Sequence, residues 1–144
     1  FTGINKKCIP CHLFLIREKS VLLARRFNTG YCDGNWSVPA GHVESWEFPI
    51  QAMIREAKEE AGIEVDIKNL TCSHVMPRVG YDERVDFFFT CSRWSGEPQI
   101  METHKCDAME WFPLDSLPEN TIPYIRQALD QIRLKSFYSE RTEK

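Results

Sequence analysis

Residues 41–63 read GHVESWEFPIQAMIREAKEEAGI, and this stretch predicts a helix over residues 49–61. Pro49 suits the first turn of a helix, because the amide hydrogen that proline lacks would have no partner there. Gly62 suits the position just after the last turn, where glycine adopts the left-handed backbone that ends many helices. The apolar residues recur at helical spacing and form one face, which is expected to pack on the rest of the fold: Ile50, Met53, Ile54, Ala57 and Ala61.

A second face of the predicted helix gathers carboxylates. Glu56, Glu59 and Glu60 are spaced i, i+3 and i+4, so they are neighbours on the helix surface. Adjacent carboxylates repel each other, and a hard cation such as Mg²⁺ relieves that repulsion while also binding phosphate groups. A solvated helix face is the alternative interpretation, with Arg55 and Lys58 partly neutralising the charge.

The wider pattern resembles the Nudix box, G-x5-E-x7-R-E-U-x-E-E-x-G-U, in which U is a bulky aliphatic residue. The named positions and the last aliphatic position are filled in order by Gly41, Glu47, Arg55, Glu56, Glu59, Glu60, Gly62 and Ile63. Three positions depart from the usual pattern, since Ala57 stands at the first aliphatic position, Ala40 precedes the box and Trp46 replaces a common glycine. The likeness to MutT-like Nudix hydrolases extends over most of the chain, from residues 22–26 to residues 111–118.

The resemblance implies an α/β/α sandwich with a mixed β-sheet, formed as a single domain by residues 1–144. It also implies binding of Mg²⁺, with Mn²⁺ as an alternative, by the carbonyl of Gly41 and the side chains of Glu56, Glu59 and Glu60. Catalysis is assigned to these three glutamates and to Arg55, which would pair with box carboxylates and hold them in place. Glu44, Glu47 and Gly62 would be structural parts of the motif. Which glutamate acts as the general base stays open.

Substrate contacts are also implied outside the carboxylates. By resemblance, Arg26 would contact a phosphate. His42 is a further candidate for a substrate contact, or an ordinary polar residue beside a loop. Trp36 either stacks on a base or closes the hydrophobic core. Residues 78–84 form either part of the substrate pocket or a hairpin turn, and the role of Glu102 stays open.

The other segments of the chain predict strands and one more helix. Apolar runs at 9–16 and 21–25, separated by a short polar stretch, predict a β-hairpin. Turn-forming residues predict a loop over 27–35. Further strands are predicted at 70–76, 84–92 and 108–112, and a final helix over 121–134. Strands mixed with two helices indicate an α/β domain.

Composition and charge argue against several classes of protein. The chain has 144 residues, of which 42% are apolar and 27% charged, as is typical of one soluble globular domain. No apolar run approaches the roughly 20 residues of a membrane span, so no membrane partner is expected. A net charge of −3 disfavours a nucleic-acid partner. Six cysteines without a recognisable export signal indicate reduced thiols, and the predicted location is the cytoplasm.

These observations predict a Mg²⁺-dependent nucleotide pyrophosphohydrolase. It would cleave a phosphoanhydride bond in a nucleoside diphosphate derivative, foremost a nucleoside triphosphate, and act as a monomer or a homodimer on this small-molecule partner. A hydrolase of dinucleotides or nucleotide sugars is the close alternative. A nucleotide-sensing module without turnover is the more distant one. It would be expected to lack a box carboxylate, whereas all four are present: Glu47, Glu56, Glu59 and Glu60.

Overall fold

The computed structural model describes residues 9–143, which form eight β-strands and two α-helices. In chain order the strands are β1 (Pro10–Arg17), β2 (Ser20–Arg26), β3 (Trp36–Ser37), β4 (Ala40–His42), β5 (Leu70–Val79), β6 (Arg84–Cys91), β7 (Cys106–Pro113) and β8 (Arg141–Thr142). The helices are α1 (Pro49–Ala61), between β4 and β5, and α2 (Pro123–Arg133), between β7 and β8. A single 3₁₀ turn at Ile67–Asn69 precedes β5. Within residues 9–143, neither helix combines the length and apolar character that crossing a bilayer requires.

The strands form one mixed sheet. Its main path runs β3-β2-β1-β6-β5-β8, while β4 pairs with β1 and β7 pairs with β2. β1 runs parallel to β6 and β5 parallel to β8, whereas the other pairs are antiparallel. β1 therefore lies inside the sheet. It also pairs with β4, the strand that precedes α1.

The side chains of β1 divide the hydrophobic core into two layers. Cys11, Leu13 and Leu15 pack with α1, whereas Phe14 packs with α2. The helices contribute the buried residues Ala52, Met53, Ala57 and Ala61 from α1, and Tyr124, Ile125, Ala128 and Leu129 from α2. A strand buried on both faces alternates its side chains between two helix layers. The arrangement is the α/β/α sandwich with a mixed sheet that the resemblance implies.

The first two strands form the predicted hairpin only next to their turn. Within the described chain they pair at two positions, Ile16 with Val21 and Arg17 with Ser20. The turn residues Glu18 and Lys19 both have positive φ, 49° and 69°, as a tight two-residue hairpin turn requires. Beyond the turn the strands separate, since β1 pairs with β6 and β2 pairs with β7. The predicted hairpin is therefore confirmed at its turn, and the two strands take other partners beyond it.

α1 has the predicted boundaries. It begins at Pro49 and ends at Ala61. Gly62 has a φ of 68°, and its backbone N–H donates to the carbonyls of Ala57 and Lys58. This left-handed cap satisfies carbonyl groups that the end of a helix leaves without intrahelical donors. The helix therefore ends at a defined residue, which fixes where its carboxylates lie.

Other boundaries differ from the predicted ones. β5 continues beyond residue 76 to Val79, β7 begins already at Cys106, and α2 is shorter than the predicted 121–134. β4 and β8 were not predicted. Each has only two or three residues, too few for the alternation of apolar and polar side chains that identifies a strand.

We expect Gly62→Ala to lower the free energy of unfolding by about 1–2 kcal/mol, because a left-handed backbone is costly for a residue with a Cβ. Gly62→Asn is the matched control, since asparagine tolerates this conformation better. A Cβ at this position would also lie 2.9 Å from Sδ of Met101. Urea denaturation of both variants separates the two causes. An equal loss for Ala and Asn would assign the effect to that contact rather than to the backbone.

Candidate active site

The candidate site lies where β4 meets the carboxylate face of α1. In the sheet, Ala40 and Gly41 of β4 pair with His12 and Cys11 of β1. The backbone N–H of Ala40 donates to Oε1 of Glu60 over 3.2 Å. The central strand therefore positions β4, and β4 binds the end of the helix directly.

Gly41 leaves room for a carboxylate. A Cβ added to Gly41 would lie 2.2 Å from Cδ and 2.3 Å from Oε1 of Glu56. These distances are far below van der Waals contact, and the obstructing atoms are the carboxylate itself. Glycine therefore provides the space in which the Glu56 carboxylate rests on the backbone of β4, and a side chain at this position would displace that carboxylate.

Arg55 is the hub of the carboxylate cluster. Its Nε and Nη2 donate to the two oxygens of Glu47 over 2.8 and 2.9 Å. Its Nη1 donates to Glu56 over 2.7 Å and to Glu59 over 3.1 Å, while Nη2 also donates to the carbonyl of His42 over 3.1 Å. The hydrogen bonds to Glu47 raise the pKa of Arg55 further above its ordinary value. One planar guanidinium thus fixes three carboxylates and the end of β4.

The loop between β4 and α1 is ordered around Glu47. The backbone N–H of Glu44 donates to Oε1 of Glu47 over 3.0 Å, and the N–H of Glu47 donates to the carbonyl of Glu44 over 3.1 Å. The carboxylate of Glu44 is exposed and lies 3.7 Å from Nη1 of Arg55. Trp46 has a φ of 63°, a backbone conformation that suits the glycine common at this position. Glu47 therefore links this loop to the Arg55 hub.

Glu60 lies in a different environment from its neighbours. The pKa of its carboxyl group is raised from the ordinary value to about 9. Burial is the largest cause, the hydrogen bond and the charge repulsion with Glu56 add to it, and the hydrogen bond from Ala40 opposes the shift. The charge of Glu102 also raises this pKa. Without a cation nearby, Glu60 is therefore protonated at neutral pH.

A cleft of about 450 Å³ opens beside Glu60. Its walls come from the ends of β2, β3 and β4, the loop after β2 and the segment that leads into β7. Arg26 and Lys105 bring positive charge to its lining, and Glu102 brings a further carboxylate, 3.9 Å from Nζ of Lys105. His104 also lines the cleft. The size is within the range of small-molecule sites, and a ligand there would meet both cations and carboxylates.

The residues predicted to contact substrate are placed differently from one another. Arg26 lines the cleft. His42 contributes its backbone carbonyl to Arg55, and its side chain is exposed and not part of the cleft lining. Trp36 is only 6% exposed, and its indole packs edge-on against Phe112 at 4.9 Å between ring centroids. A ring in that position has no face for a base, so Trp36 has the core role that the sequence left open.

Several residues of the cleft were not predicted. Asn28 and Thr29 line it from the loop after β2, while Ser37 and Met109 line it from β3 and β7. No local motif marks these residues, because strand pairing between distant segments brings them together. The turn-rich composition of residues 27–35 indicated a loop but not its position beside the cleft.

A sequence model of the NUDIX domain family matches residues 10–132. The chain belongs to the Nudix family. The match covers every strand and helix described above except β8 and the last residue of α2. It therefore includes the whole carboxylate cluster and the cleft beside it.

Relatives and solved structures agree with this membership. The human 8-oxo-dGDP phosphatase NUDT18 is 30% identical over 112 residues, which cover 74% of this chain and 32% of that protein. An 8-oxo-dGTP diphosphatase from Proteus vulgaris is 33% identical over 84 residues, covering 56% of this chain and 71% of that protein. The crystal structure of a MutT NUDIX hydrolase from Burkholderia pseudomallei superposes with a TM-score of 0.80 at 28% identity, covering 88% of this chain and 98% of the other.

The chain corresponds to only part of some relatives. It spans 32% of the length of the human protein and 24% of the length of the putative nudix hydrolase 1 from Caenorhabditis elegans. The similarity therefore concerns the Nudix domain of those proteins. The match in fold confirms the MutT-like α/β/α architecture.

Nudix hydrolases generally use a divalent metal such as Mg²⁺. Within residues 9–143, no three His, Cys, Asp or Glu side chains already converge as a ligand set, and Arg55 supplies the positive charge among the carboxylates. The donors are nevertheless all oxygens, which suit a hard cation. Glu56 rests against the backbone of Gly41, and Glu60 is enclosed without a cationic partner of its own. These residues fit a Mg²⁺ or Mn²⁺ ion in ligand chemistry.

Metal-free protein should lose stability as pH rises from about 5 to about 9. In this window the folded state keeps a proton on Glu60, whose pKa is about 9, whereas the unfolded chain has already released it. The free energy of unfolding therefore falls as the pH rises through this window. Urea denaturation in a chelating buffer at several pH values measures this slope.

Glu60→Gln should flatten that pH dependence, and Glu64→Gln is the matched control. Glu64 is exposed and its carboxylate pairs with Lys58 outside the carboxylate cluster, so its loss should leave the slope unchanged. If Glu60→Gln keeps the wild-type slope, the raised pKa does not belong to Glu60.

Proposed function

We propose that this chain is a Mg²⁺-dependent nucleotide pyrophosphohydrolase whose foremost substrates are nucleoside triphosphates, cleaved to a monophosphate and pyrophosphate. The observation that carries the proposal is the position of the carboxylates. Glu56 and Glu60 gather at β4, and the cleft that opens beside Glu60 is lined by Arg26 and Lys105. The alternative, a solvated helix face, does not explain why one carboxylate of the helix is buried beside a cleft lined by two cationic side chains.

The reaction needs a new bond between a water oxygen and phosphorus while the bond from phosphorus to the bridging oxygen breaks. Arg26 and Lys105 suit the phosphate oxygens, whose charge they offset. A carboxylate of the cluster takes the proton of the attacking water, and Glu56, Glu59 and Glu60 remain the candidates for that role. A bound divalent ion supplies further charge neutralisation and lowers the pKa of water.

Arg55 supports this chemistry indirectly. Its hydrogen bonds to Glu47, Glu56 and Glu59 fix where each carboxylate points, and its contact with the carbonyl of His42 ties them to β4. Carboxylates that are already oriented need no reorganisation when the substrate binds. Such preorganisation of charged groups is a large part of electrostatic catalysis. Arg55 is therefore assigned a positioning role.

The relatives support nucleotide substrates but leave the base and the leaving group open. Two of them are described as acting on 8-oxo-dGDP and 8-oxo-dGTP. Hydrolysis of a dinucleotide or a nucleotide sugar stays the close alternative. A sensing module is disfavoured because Glu47, Glu56, Glu59 and Glu60 are all present.

A substrate screen tests the proposal directly. Purified protein is incubated with ordinary and 8-oxo nucleoside triphosphates and diphosphates, a dinucleotide and a nucleotide sugar, each with Mg²⁺ and with Mn²⁺. Chromatography of the products shows which bond breaks. Release of pyrophosphate and monophosphate from a triphosphate is the expected result. Binding of nucleotides without any product would favour the sensing module.

Glu59→Gln and Glu60→Gln should each lower kcat by on the order of a hundredfold or more, because each removes a charge from the metal-binding set while keeping the shape of the side chain. Circular dichroism should show an unchanged fold. The matched control is Glu64→Gln, which removes an exposed carboxylate outside the cluster and should retain full activity. Full activity of both cluster variants with Mg²⁺ would refute the metal assignment.

Millimolar Mg²⁺ should raise the melting temperature of the wild type, because an ion that binds only the folded state stabilises it. The shift should be smaller in Glu60→Gln, which lacks one carboxylate of the set. Differential scanning fluorimetry measures both shifts. An identical shift in the wild type and the variant would place the ion elsewhere.

A further inference from the structure

The turn between β4 and α1 holds a tryptophan in a backbone conformation that disfavours it. The N–H of Glu47 donates to the carbonyl of Glu44 over 3.1 Å and closes a β-turn in which Trp46 is the third residue. Trp46 has a φ of 63°, and a positive φ at the third residue of a turn favours glycine or asparagine. A bulky residue in this region is an outlier, and such outliers persist mainly where function requires them.

The indole of Trp46 is not compensated by packing. It is fully exposed, and the ring of Phe48, two residues further along, is largely exposed as well. Among residues 9–143, no other aromatic ring stacks on either of them and no guanidinium lies over them. Because the ring contributes neither to the core nor to a favourable turn, its role is a contact with a ligand.

Both ends of this turn are held at the carboxylate cluster. Nε and Nη2 of Arg55 donate to the carboxylate of Glu47, which also accepts from the N–H of Glu44 over 3.0 Å. The carboxylate of Glu44 lies 3.7 Å from Nη1 of Arg55, the same nitrogen that donates to Glu59 over 3.1 Å. Trp46 therefore lies in a fixed turn beside the carboxylates that are proposed to bind the ion.

The turn and the cleft lie on different sides of the cluster. The cleft opens beside Glu60 and is lined by none of residues 43–48, all of which the structure describes. Glu59 is half-exposed and faces the side of Arg55 and Glu44. A phosphoanhydride has one half on each side of the bond that breaks. A substrate with its phosphates at the carboxylates and one half in the cleft therefore extends its other half past Glu59 towards the turn.

We propose that Trp46 is a specificity-determining residue, whose indole stacks on a planar ring in the half of the substrate that lies outside the cleft. The substrate class that this contact favours is a dinucleotide, in which a chain of phosphates joins two nucleosides. A nucleoside triphosphate presents only phosphate groups in that place, so its binding does not depend on the indole. The inference rests on the proposed function, because it concerns the same carboxylates and the same ion.

The reaction of such a substrate is the one already described. The oxygen of water bonds to one phosphorus, and the bond from that phosphorus to the bridging oxygen breaks. The bridging oxygen leaves with the other half, and the proton of the water passes to a carboxylate of the cluster. Each half becomes a nucleoside phosphate, so Trp46 acts on binding and takes no part in the proton transfer.

The surroundings of Trp46 favour a metal-bound substrate over two other occupants. The side chain of Glu44 is largely exposed next to the turn, and that of Glu59 is half-exposed. These carboxylates would repel an anionic membrane surface. A protein partner that covered them would have to remove their hydration, which is costly for unpaired charges. A phosphate chain that arrives with a divalent ion offsets these charges and places its ring beside the indole.

The experiment compares wild type with Trp46→Asn, which removes the ring and suits a positive φ, and with Trp46→Tyr, which keeps an aromatic ring. Phe137→Asn is the matched control, since it removes an exposed ring beyond α2, far along the chain from the cluster. With Mg²⁺ and a dinucleotide, Trp46→Asn should raise KM roughly tenfold, as expected for the loss of stacking on one base, and Trp46→Tyr by less than about threefold. KM for a nucleoside triphosphate and both kcat values should stay within about twofold.

Two further measurements separate recognition from a structural role. In urea denaturation, Trp46→Asn should be at least as stable as the wild type, because asparagine relieves the strained turn. The second measurement is a fluorescence titration with Mg²⁺ and a dinucleotide whose bridging oxygens are replaced by methylene groups, which water does not cleave. The chain has four tryptophans, and the quenching seen in the wild type should be largely lost in Trp46→Tyr.

Other outcomes overturn the inference. Unchanged KM values in Trp46→Asn would do so, and so would an equal rise for the dinucleotide and the triphosphate, which would indicate general damage to the site. If the wild type cleaves triphosphates but neither cleaves nor binds dinucleotides, the role of Trp46 fails while the proposed function stands. If the wild type cleaves no nucleotide, the proposed function fails, and the dissociation constant of the methylene-bridged dinucleotide replaces KM. Equal constants for wild type and Trp46→Asn would then overturn the role of Trp46 as well.

Discussion

Mutual repulsion among the carboxylates of α1 is the constraint around which this structure is arranged, and the guanidinium of Arg55 offsets it. Glu47, Glu56 and Glu59 all bond to that single group. Because a guanidinium is planar and carries its donors in a fixed fork, it determines directions as well as charge. The same group reaches the carbonyl of His42, so the orientation of the carboxylates is tied to the sheet and not to the helix alone.

The sheet supplies the other half of the geometry. β1 is buried on both faces and pairs with β4 along one edge and β6 along the other, so it cannot shift without disturbing both hydrophobic layers. β4 is held in place by its pairing with β1. Gly41 of β4 lets the Glu56 carboxylate approach the backbone of that strand. The positions of the carboxylates therefore depend on the packing of residues far from them in sequence, such as Phe14 and Phe88.

This dependence explains which features could be predicted from the sequence. α1 could be predicted to the residue, because Pro49, Gly62 and the apolar spacing are local signals that the packing does not override. The divergence of β1 from β2 could not, since it follows from the pairing of β1 with β6, more than seventy residues away. The sequence left two roles open for Trp36, stacking on a base or closing the hydrophobic core. Its packing against Phe112 assigns it to the core.

The negative charge at the site is offset in two ways, by the guanidinium of Arg55 and by a proton on Glu60. Metal binding is therefore coupled to the release of a proton. Arg55 donates hydrogen bonds to Glu56 and Glu59, whereas Glu60 is buried beside Glu56 and, with its pKa raised, keeps a proton in the absence of a cation. A divalent ion that binds there has to displace that proton, because a ligating carboxylate is deprotonated. Affinity for the ion should therefore increase with pH below about 9, the pKa of Glu60. The buried Glu60 lowers the stability of the folded protein in the absence of the ion, and an ion bound there would offset the charge of its deprotonated carboxylate.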